Sequence, residues 1–318
     1  MLRAVVKGTG AYLPARIMTN KDFESIVDTN HEWIIERTGI EERHIAADGE
    51  LTSDLAVEAG KQALAAAGFA PDSVDLVIIA TTTPDDTMPS TATKVQHRLG
   101  ITRGAAFDLN AACSGFVYAM TVANNFILAK QAKRVLVIGA ETYSRILDWS
   151  DRATCILFGD GAAAVALEAE DSERGILFSS IHSDGQYTEL LATNGGVSST
   201  KTAGTMFMAG KEIFRHAVAK MPAAVEEGIS ALGLPLDKID WLVPHQANMR
   251  ILNGVAHKLH LPESKVIATV AKHANTSAAS IPLALHIASH DGRIKQGQIV
   301  ACPALGAGLT WGCTIIRW

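Results

Sequence analysis

Three short segments hold the side chains most able to do chemistry. In Asn110-Ala111-Ala112-Cys113-Ser114-Gly115, a lone cysteine precedes a run from Phe116 to Lys130. That run is apolar on nearly every face up to Ala129, the mark of a helix buried in a core. Cys113 therefore falls at the helix start. Unpaired N–H groups and the positive dipole end there favour thiolate, the nucleophilic form. Ala111, Ala112 and Gly115 leave room for a substrate. The competing reading is an inert buried thiol. In Val243-Pro244-His245-Gln246-Ala247-Asn248, His245 follows an apolar strand. Ligand sites in open α/β sheets favour the carboxyl ends of strands. A hydrogen-bonded structural histidine is the alternative. Asn275, in His273-Ala274-Asn275-Thr276-Ser277-Ala278-Ala279-Ser280, also stands just before an apolar helix, where a helix cap is the commoner role.

The elements that must position these residues repeat along the chain. An Ala-rich helix, Gly68-Phe69-Ala70-Pro71, Asp75 and the strand Leu76-Val77-Ile78-Ile79-Ala80 are matched by a helix, Gly233-Leu234-Pro235, Asp240 and Trp241-Leu242-Val243-Pro244. The run Val135-Leu136-Val137-Ile138 matches Ile299-Val300-Ala301-Cys302, and Phe158-Gly159-Asp160-Gly161 matches Leu305-Gly306-Ala307-Gly308. Asp240 follows Asp75 by 165 residues and Ile299 follows Val135 by 164. Gly306 follows Gly159 by 147, so one connection is shorter in the second half. Ser277 lies 164 residues after Cys113, which pairs the two helix starts around a shared centre. We expect two similar halves, 1–171 and 172–318. Unbroken apolar strands are buried on both faces, so helices cover each sheet. Two such sheets sharing a helical layer give a five-layered α/β/α/β/α body.

Composition narrows the function classes. The chain has 318 residues, 48% of them hydrophobic, ample for a large core. A net charge of −5 excludes a globally basic nucleic-acid footprint. No stretch of about 18 apolar residues exists, so no membrane span is expected. The opening MLRAVVKGTGAYLP reads as a strand and a turn, not a secretion signal. A cytoplasmic protein with reduced thiols follows as the expectation. Cys113, Cys155, Cys302 and Cys313 form no CxxC pair and no zinc spacing, so no metal is expected.

Cys113, His245 and Asn275, each in its local motif, resemble the Cys-His-Asn triad of the 3-oxoacyl-[acyl-carrier-protein] synthases III, the initiating condensing enzymes of the thiolase superfamily. WLVPHQAN at 241–248, NTSAAS at 275–280, FGDGA at 158–162, LTWG at 309–312 and WIIERTGI at 33–40 are similar to that family's signatures. The resemblance implies the duplicated thiolase fold. It also implies a cofactor-free, decarboxylative condensation of a short acyl-CoA, such as acetyl-CoA, with malonyl-acyl-carrier protein (malonyl-ACP). In that scheme Cys113 carries the acyl group. His245 and Asn275 donate to the malonyl thioester oxygen, and the backbone N–H groups of Cys113 and Ala307 form a second oxyanion hole.

Residue by residue, the resemblance places Thr29, Trp33, Arg37 and Arg152 around the adenine of CoA, and Gly210 and Asn248 on the pantetheine arm. Met88, Leu157, Phe158, Leu190, Met208 and Leu305 line the acyl pocket. Met88 stands where the family often has Phe, while Ala274 and Ala307 stand where it usually has Gly. A homodimer is implied. An acidic carrier needs a basic patch, for which Lys211, Arg215, Arg250 and Lys258 are the candidates. Competing readings are a condensing enzyme of a specialised pathway using an unusual acyl-CoA, a degradative thiolase, a papain-like hydrolase and a non-catalytic acyl-CoA-binding protein. The thiolase reading lacks its second cysteine, because Ala304-Leu305-Gly306-Ala307-Gly308 holds none.

Overall fold

The apolar run Leu76–Ala80 is buried at every position, as expected of an interior strand covered on both faces. A computed structural model describes residues 1–318. In chain order the elements are β1 (Leu2–Tyr12), β2 (Arg16–Thr19), α1 (His31–Thr38), β3 (Glu42–Ile45), α2 (Thr52–Ala67), β4 (Leu76–Ala80), α3 (Thr91–Arg98), β5 (Ala105–Leu109), α4 (Gly115–Leu128), β6 (Arg134–Glu141), α5 (Arg152–Cys155), β7 (Gly161–Asp171), β8 (Gly175–Ser183), β9 (Leu191–Thr193), β10 (Met206–Met208), α6 (Gly210–Ala231), β11 (Trp241–Leu242), α7 (Met249–Lys258), α8 (Val270–His273), α9 (Ser280–His290), β12 (Ile299–Gly306) and β13 (Thr310–Arg317).

One sheet has the order β1-β7-β6-β4-β5 and the other β8-β13-β12-β11. In both, the strands from the repeated apolar runs pair in parallel. Leu76 faces Val135 in the first sheet and Trp241 faces Val300 in the second. A single parallel bridge, Leu242 to Val266, stands where the second sheet would have its fifth strand. Helices α2 and α3 cover the outer face of the first sheet, and α6 packs with α7 on the outer face of the second. Between the sheets lie α4 and α9. There Phe116, Met120, Ile281 and Leu285 join Val137 and Val165 of one sheet to Val300 and Ile316 of the other. Burying each such side chain contributes about 1.5–3 kcal/mol. The result is the five-layered body, of thiolase type. No helix is long and apolar enough to cross a membrane.

The structure corrects the register of the repeat. Leu76–Val135 and Trp241–Val300 are equivalent pairs, so the offset is 165 throughout this region. Ala112 and Ser277 share it, and both hold left-handed backbone, with φ 47° and 49°. Each opens a 3-10 turn, Ala112–Ser114 and Ser277–Ala279. Ser277 is thus the counterpart of Ala112, and Ala278 that of Cys113. The short connection is the one between β12 and β13. Gly306 ends β12 rather than lying in the loop.

Each sheet touches the turn that belongs to the other. A Cβ on Gly139 of β6 would sit 2.2 Å from the carbonyl oxygen of Ala278. A Cβ on Gly306 of β12 would sit 2.8 Å from both Ala111 O and Cys113 N. Backbone meets backbone at both places, so neither neighbour is free to yield. We predict that Gly139→Ala destabilises the fold by about 3 kcal/mol, measured by urea unfolding. An unchanged midpoint would show that the contact tolerates a methyl group.

Candidate active site

The chain leaves β5 through Ala111 (φ −142°) and Ala112 (φ 47°) and turns into α4 with Cys113 at the bend. A left-handed alanine costs about 1–2 kcal/mol, so the turn must be held from outside. The Thr310 hydroxyl does this. It lies 3.0 Å from Ala111 O, 2.9 Å from Ala307 O and 2.6 Å from Ser114 Oγ. The LTWG segment therefore fastens the turn from the second sheet.

Cys113 is 4% exposed. Burial pushes its thiol up to about 12, against opposing contributions from the Ser277 and Tyr143 hydroxyls and its own N–H. This corrects the expectation of a resting thiolate. Removal of water outweighs the helix N-terminus, so the group rests as a thiol.

His245 continues the line of β11. The N–H of Val243 donates to Ala301 O at 2.8 Å and that of His245 to Pro303 O at 2.9 Å. Pro244 lies between them, where its missing N–H costs no bond to β12. The Ser280 hydroxyl oxygen accepts from Gln246 N at 3.3 Å and lies 2.7 Å from His245 Nδ1. Its hydrogen is then free to go to Nδ1, an arrangement compatible with a ring proton on Nε2. Burial lowers His245 to about 3, which favours the neutral ring.

Asn275 is fixed by the FGDG segment. Its N–H donates to Leu157 O at 2.9 Å and its carbonyl accepts from Gly159 N at 3.1 Å. Its Oδ1 accepts from Ser277 N at 2.9 Å, which leaves the Nδ2 hydrogens for a ligand. Asp160 anchors the same segment by accepting from Ala46 N, Ser144 N and Ser144 Oγ. Of the two alanines at glycine positions, Ala274 is in left-handed backbone (φ 56°, ψ −159°), a region close to glycine-only. Ala307 has no positive φ.

Cys113, His245 and Asn275 line one cavity of about 630 Å³. Leu157, Phe158, Met208 and Leu305 line it too, as do Gly210, Asn248, Arg37, Lys211, Arg215 and Arg250. The three reactive side chains are each no more than 5% exposed, while Arg37, Lys211, Arg215 and Arg250 are exposed. The cavity thus runs from a basic rim to a dry end. Asn248 caps α7 by accepting from Ile251 N at 2.9 Å. Trp33 lies between two guanidiniums, Arg152 at 4.6 Å and Arg37 at 5.2 Å from its ring centre. The Oγ1 of Thr29, just before α1, is buried without a partner.

Two expected lining residues lie elsewhere. Met88 is 84% exposed and outside the cavity, because it sits in the loop between β4 and α3. Leu190 also misses the cavity, and its neighbour Leu191 lines it, since successive residues entering β9 face opposite ways. Lys258 lies outside the cavity, near the end of α7. Ser280, which hydrogen-bonds the imidazole, and Glu141, buried near Cys113, were not singled out by sequence. Ser280 carried a signal, since it closes the NTSAAS segment.

Known proteins resemble this chain in sequence and fold. The family model described as 3-Oxoacyl-[acyl-carrier-protein (ACP)] synthase III matches residues 107–185, and its C-terminal companion matches 229–318. A beta-ketoacyl-[acyl-carrier-protein] synthase III of Rhodospirillum centenum is 60% identical over 321 residues, covering 100% of this chain and 99% of the relative. The chain belongs to the 3-oxoacyl-[acyl-carrier-protein] synthase III family. The solved synthase III of Aquifex aeolicus superposes with a TM-score of 0.95 at 44% identity, covering 99% of this chain and 100% of that one. That of Pseudomonas aeruginosa gives 0.94 at 42%, covering 99% and 98%. The protein is accordingly an acyltransferase of the initiating condensation in fatty acid synthesis. The family's substrates are acyl-CoA and malonyl-ACP.

A neutral His245 has a consequence for pH dependence. With its titration lowered to about 3, condensation from a preformed acyl-enzyme should show no inflection near pH 6.5. A break there in single-turnover rates would mean that the ring cycles through its charged form.

Proposed function

We propose that Cys113 is the nucleophile and that His245 and Asn275 drive the decarboxylation. The observation that carries this reading is the shared cavity, in which both nitrogen donors are freed by partners on their other atoms. The Cys113 sulfur attacks the thioester of a short acyl-CoA, such as acetyl-CoA. The carbon–sulfur bond to CoA breaks and CoA leaves. Malonyl-ACP then enters. Its C–CO2 bond breaks, and the charge reaching the thioester oxygen is met by His245 Nε2–H and Asn275 Nδ2–H. The resulting carbanion attacks acyl-Cys113 and expels the sulfur. The N–H groups of Cys113 and Ala307 stabilise the tetrahedral oxyanion. No step needs a metal or a resident cofactor.

The adenine of CoA stacks at Trp33, Arg37 and Arg152, beside Thr29. The two guanidiniums already on Trp33 support this placement. Gly210 and Asn248 receive the pantetheine arm. The carrier docks on Arg250, Lys211 and Lys258, none of which has an ion-pair partner, whereas Arg215 pairs with Glu212 at 2.8 Å and contributes less. The protein is a cytoplasmic homodimer. Exposed Met88 and Val197 (84% and 65%) support the dimer, as does a groove of about 1120 Å³ that Val197 helps to line. The halves 1–171 and 172–318 meet at the turn between β7 and β8.

Cys113→Ala should abolish CoA release and condensation, read by thiol assay and product mass. His245→Ala or Asn275→Ala should keep acylation of Cys113 and slow decarboxylation on the order of 10²–10³-fold. The opposite split between the two half-reactions would overturn these roles. Reversing the rim charge with Arg250→Glu should raise KM for malonyl-ACP while sparing acyl-CoA. An unchanged carrier KM would discard the dock.

A further inference from the structure

Arg43 of β3 is fully buried, and its guanidinium hydrogen bonds all go to uncharged acceptors. Nη1 donates to Met18 O at 3.2 Å and to Asn20 Oδ1 at 2.9 Å, and Nη2 donates to Ile156 O at 2.7 Å. Asn20 in turn donates from Nδ2 to Ile40 O at 2.7 Å. The Phe23 ring covers the guanidinium, with 4.6 Å from its centre to the Arg43 Cζ. Nε is buried without a partner. Burial lowers the group only to about 10, so it is charged at neutral pH. Buried charges are ordinarily paired with opposite ones, since taking an ion out of water is costly. A position that keeps such a charge is a candidate for a role beyond packing.

The guanidinium ends on the segment that holds Asn275. Ile156, whose carbonyl takes Nη2, immediately precedes Leu157. Leu157 O accepts from Asn275 N at 2.9 Å, and Gly159 N donates back to Asn275 O at 3.1 Å. The stem of Arg43 lies against the same segment. A Cβ on Gly159 would sit 2.9 Å from Arg43 Cβ and 3.0 Å from His273 O. Gly159 is therefore wedged between the arginine stem and the chain entering Asn275. Beside Arg43, His44 O accepts from Asp160 N at 2.9 Å. Two neighbouring residues of β3 thus hold both ends of the Ile156–Asp160 segment.

The other flank of Asn275 is tied to the same region. Glu41 N, just before β3, donates to Ala271 O of α8 at 2.8 Å, and Lys272 of α8 pairs with Glu41 at 2.7 Å. Helix α8 ends two residues before Asn275, and Ala274 between them is in left-handed backbone. Such a conformation persists only where its surroundings impose it. The Cys113 turn is held instead by Thr310 and Gly306.

We propose that Arg43 is a positioning residue for Asn275: its guanidinium fixes the Ile156–Gly159 segment, and that segment sets where the Asn275 amide stands when charge develops on the malonyl thioester oxygen. This rests on Asn275 donating to that oxygen. Arg43 touches neither the substrate nor the reacting atoms. Its nitrogens serve acceptors on separate segments from one rigid plane, which also lies on Phe23. A lysine ammonium, a point charge on a flexible stem, does not reproduce that fork. A donor displaced from the developing charge loses much of its effect on rate.

The test uses Arg43→Lys, which keeps the charge and loses the fork. The two half-reactions are measured apart. Acylation of Cys113 by acetyl-CoA is read by CoA release and intact mass. Condensation of the preformed acetyl-enzyme with malonyl-ACP is read in a single turnover. Condensation at saturating malonyl-ACP should slow about tenfold, with the half-saturating concentration unchanged and acylation within about twofold of the wild type. Equal losses in both half-reactions would indicate general loss of structure and overturn the proposal. The sharper comparison is with Asn275→Ala. Because Arg43 acts through Asn275, adding Arg43→Lys to Asn275→Ala should slow condensation no further. A double variant about tenfold slower than Asn275→Ala alone overturns the proposal. Should Arg43→Lys not fold, Asn20→Ala takes its place, since it removes one guanidinium acceptor and leaves those of Met18 and Ile156. It should slow condensation about threefold, with the same absence of additivity. Wild-type condensation in Asn275→Ala would instead remove the donor reading on which the proposal rests.

Discussion

The structure depends on two places where the backbone of one sheet lies against the turn of the other with nothing larger than a hydrogen between them. Gly139 meets Ala278, and Gly306 meets Ala111 and Cys113. These contacts join the Cys113 turn of the first sheet to the strand from which the second sheet presents its own loops. Because they are backbone contacts, they set distances that side-chain rearrangement cannot relax. The strained Ala112 and Ser277 are affordable only inside that lock, and Thr310 adds hydrogen bonds to the same junction.

Desolvation then acts on every polar group the lock encloses, with opposite effects on acids and bases. The thiol of Cys113 is pushed up and the imidazole of His245 is pushed down, so both rest uncharged. Glu141 and Asp160 are pushed up as well, yet each is met by several donors. In a dry site of this kind, a nitrogen donor acts more strongly on charge that develops beside it. The same dryness makes a thiol harder to ionise.

Much of this was legible in the sequence, because the informative signals were local. The apolar strands, the helix start at Cys113, the strand end at His245 and the NTSAAS segment each carry their pattern within about ten residues. The repeat was legible too, but its register was not. Offsets of 164 and 165 differ by one residue, and only strand pairing and the left-handed Ala112 and Ser277 decide between them. A one-residue difference also separated Leu190 from Leu191, since alternate residues of an extended segment face opposite sides. The charge state of Cys113 was misread because a helix terminus is visible in sequence while complete burial is not. Met88 was placed by resemblance to a wall that its own chain does not supply. Glu141 was hidden because its donors, Thr81, Thr82 and Thr83, lie about sixty residues earlier.

The cap of α7 constrains what the cavity can read. Asn248 accepts from Ile251 N through its amide oxygen, which fixes the plane of the side chain. Its amide group therefore points in one direction, set by the helix start rather than by its own rotation. Helix initiation thus fixes the orientation of a polar group on the cavity wall.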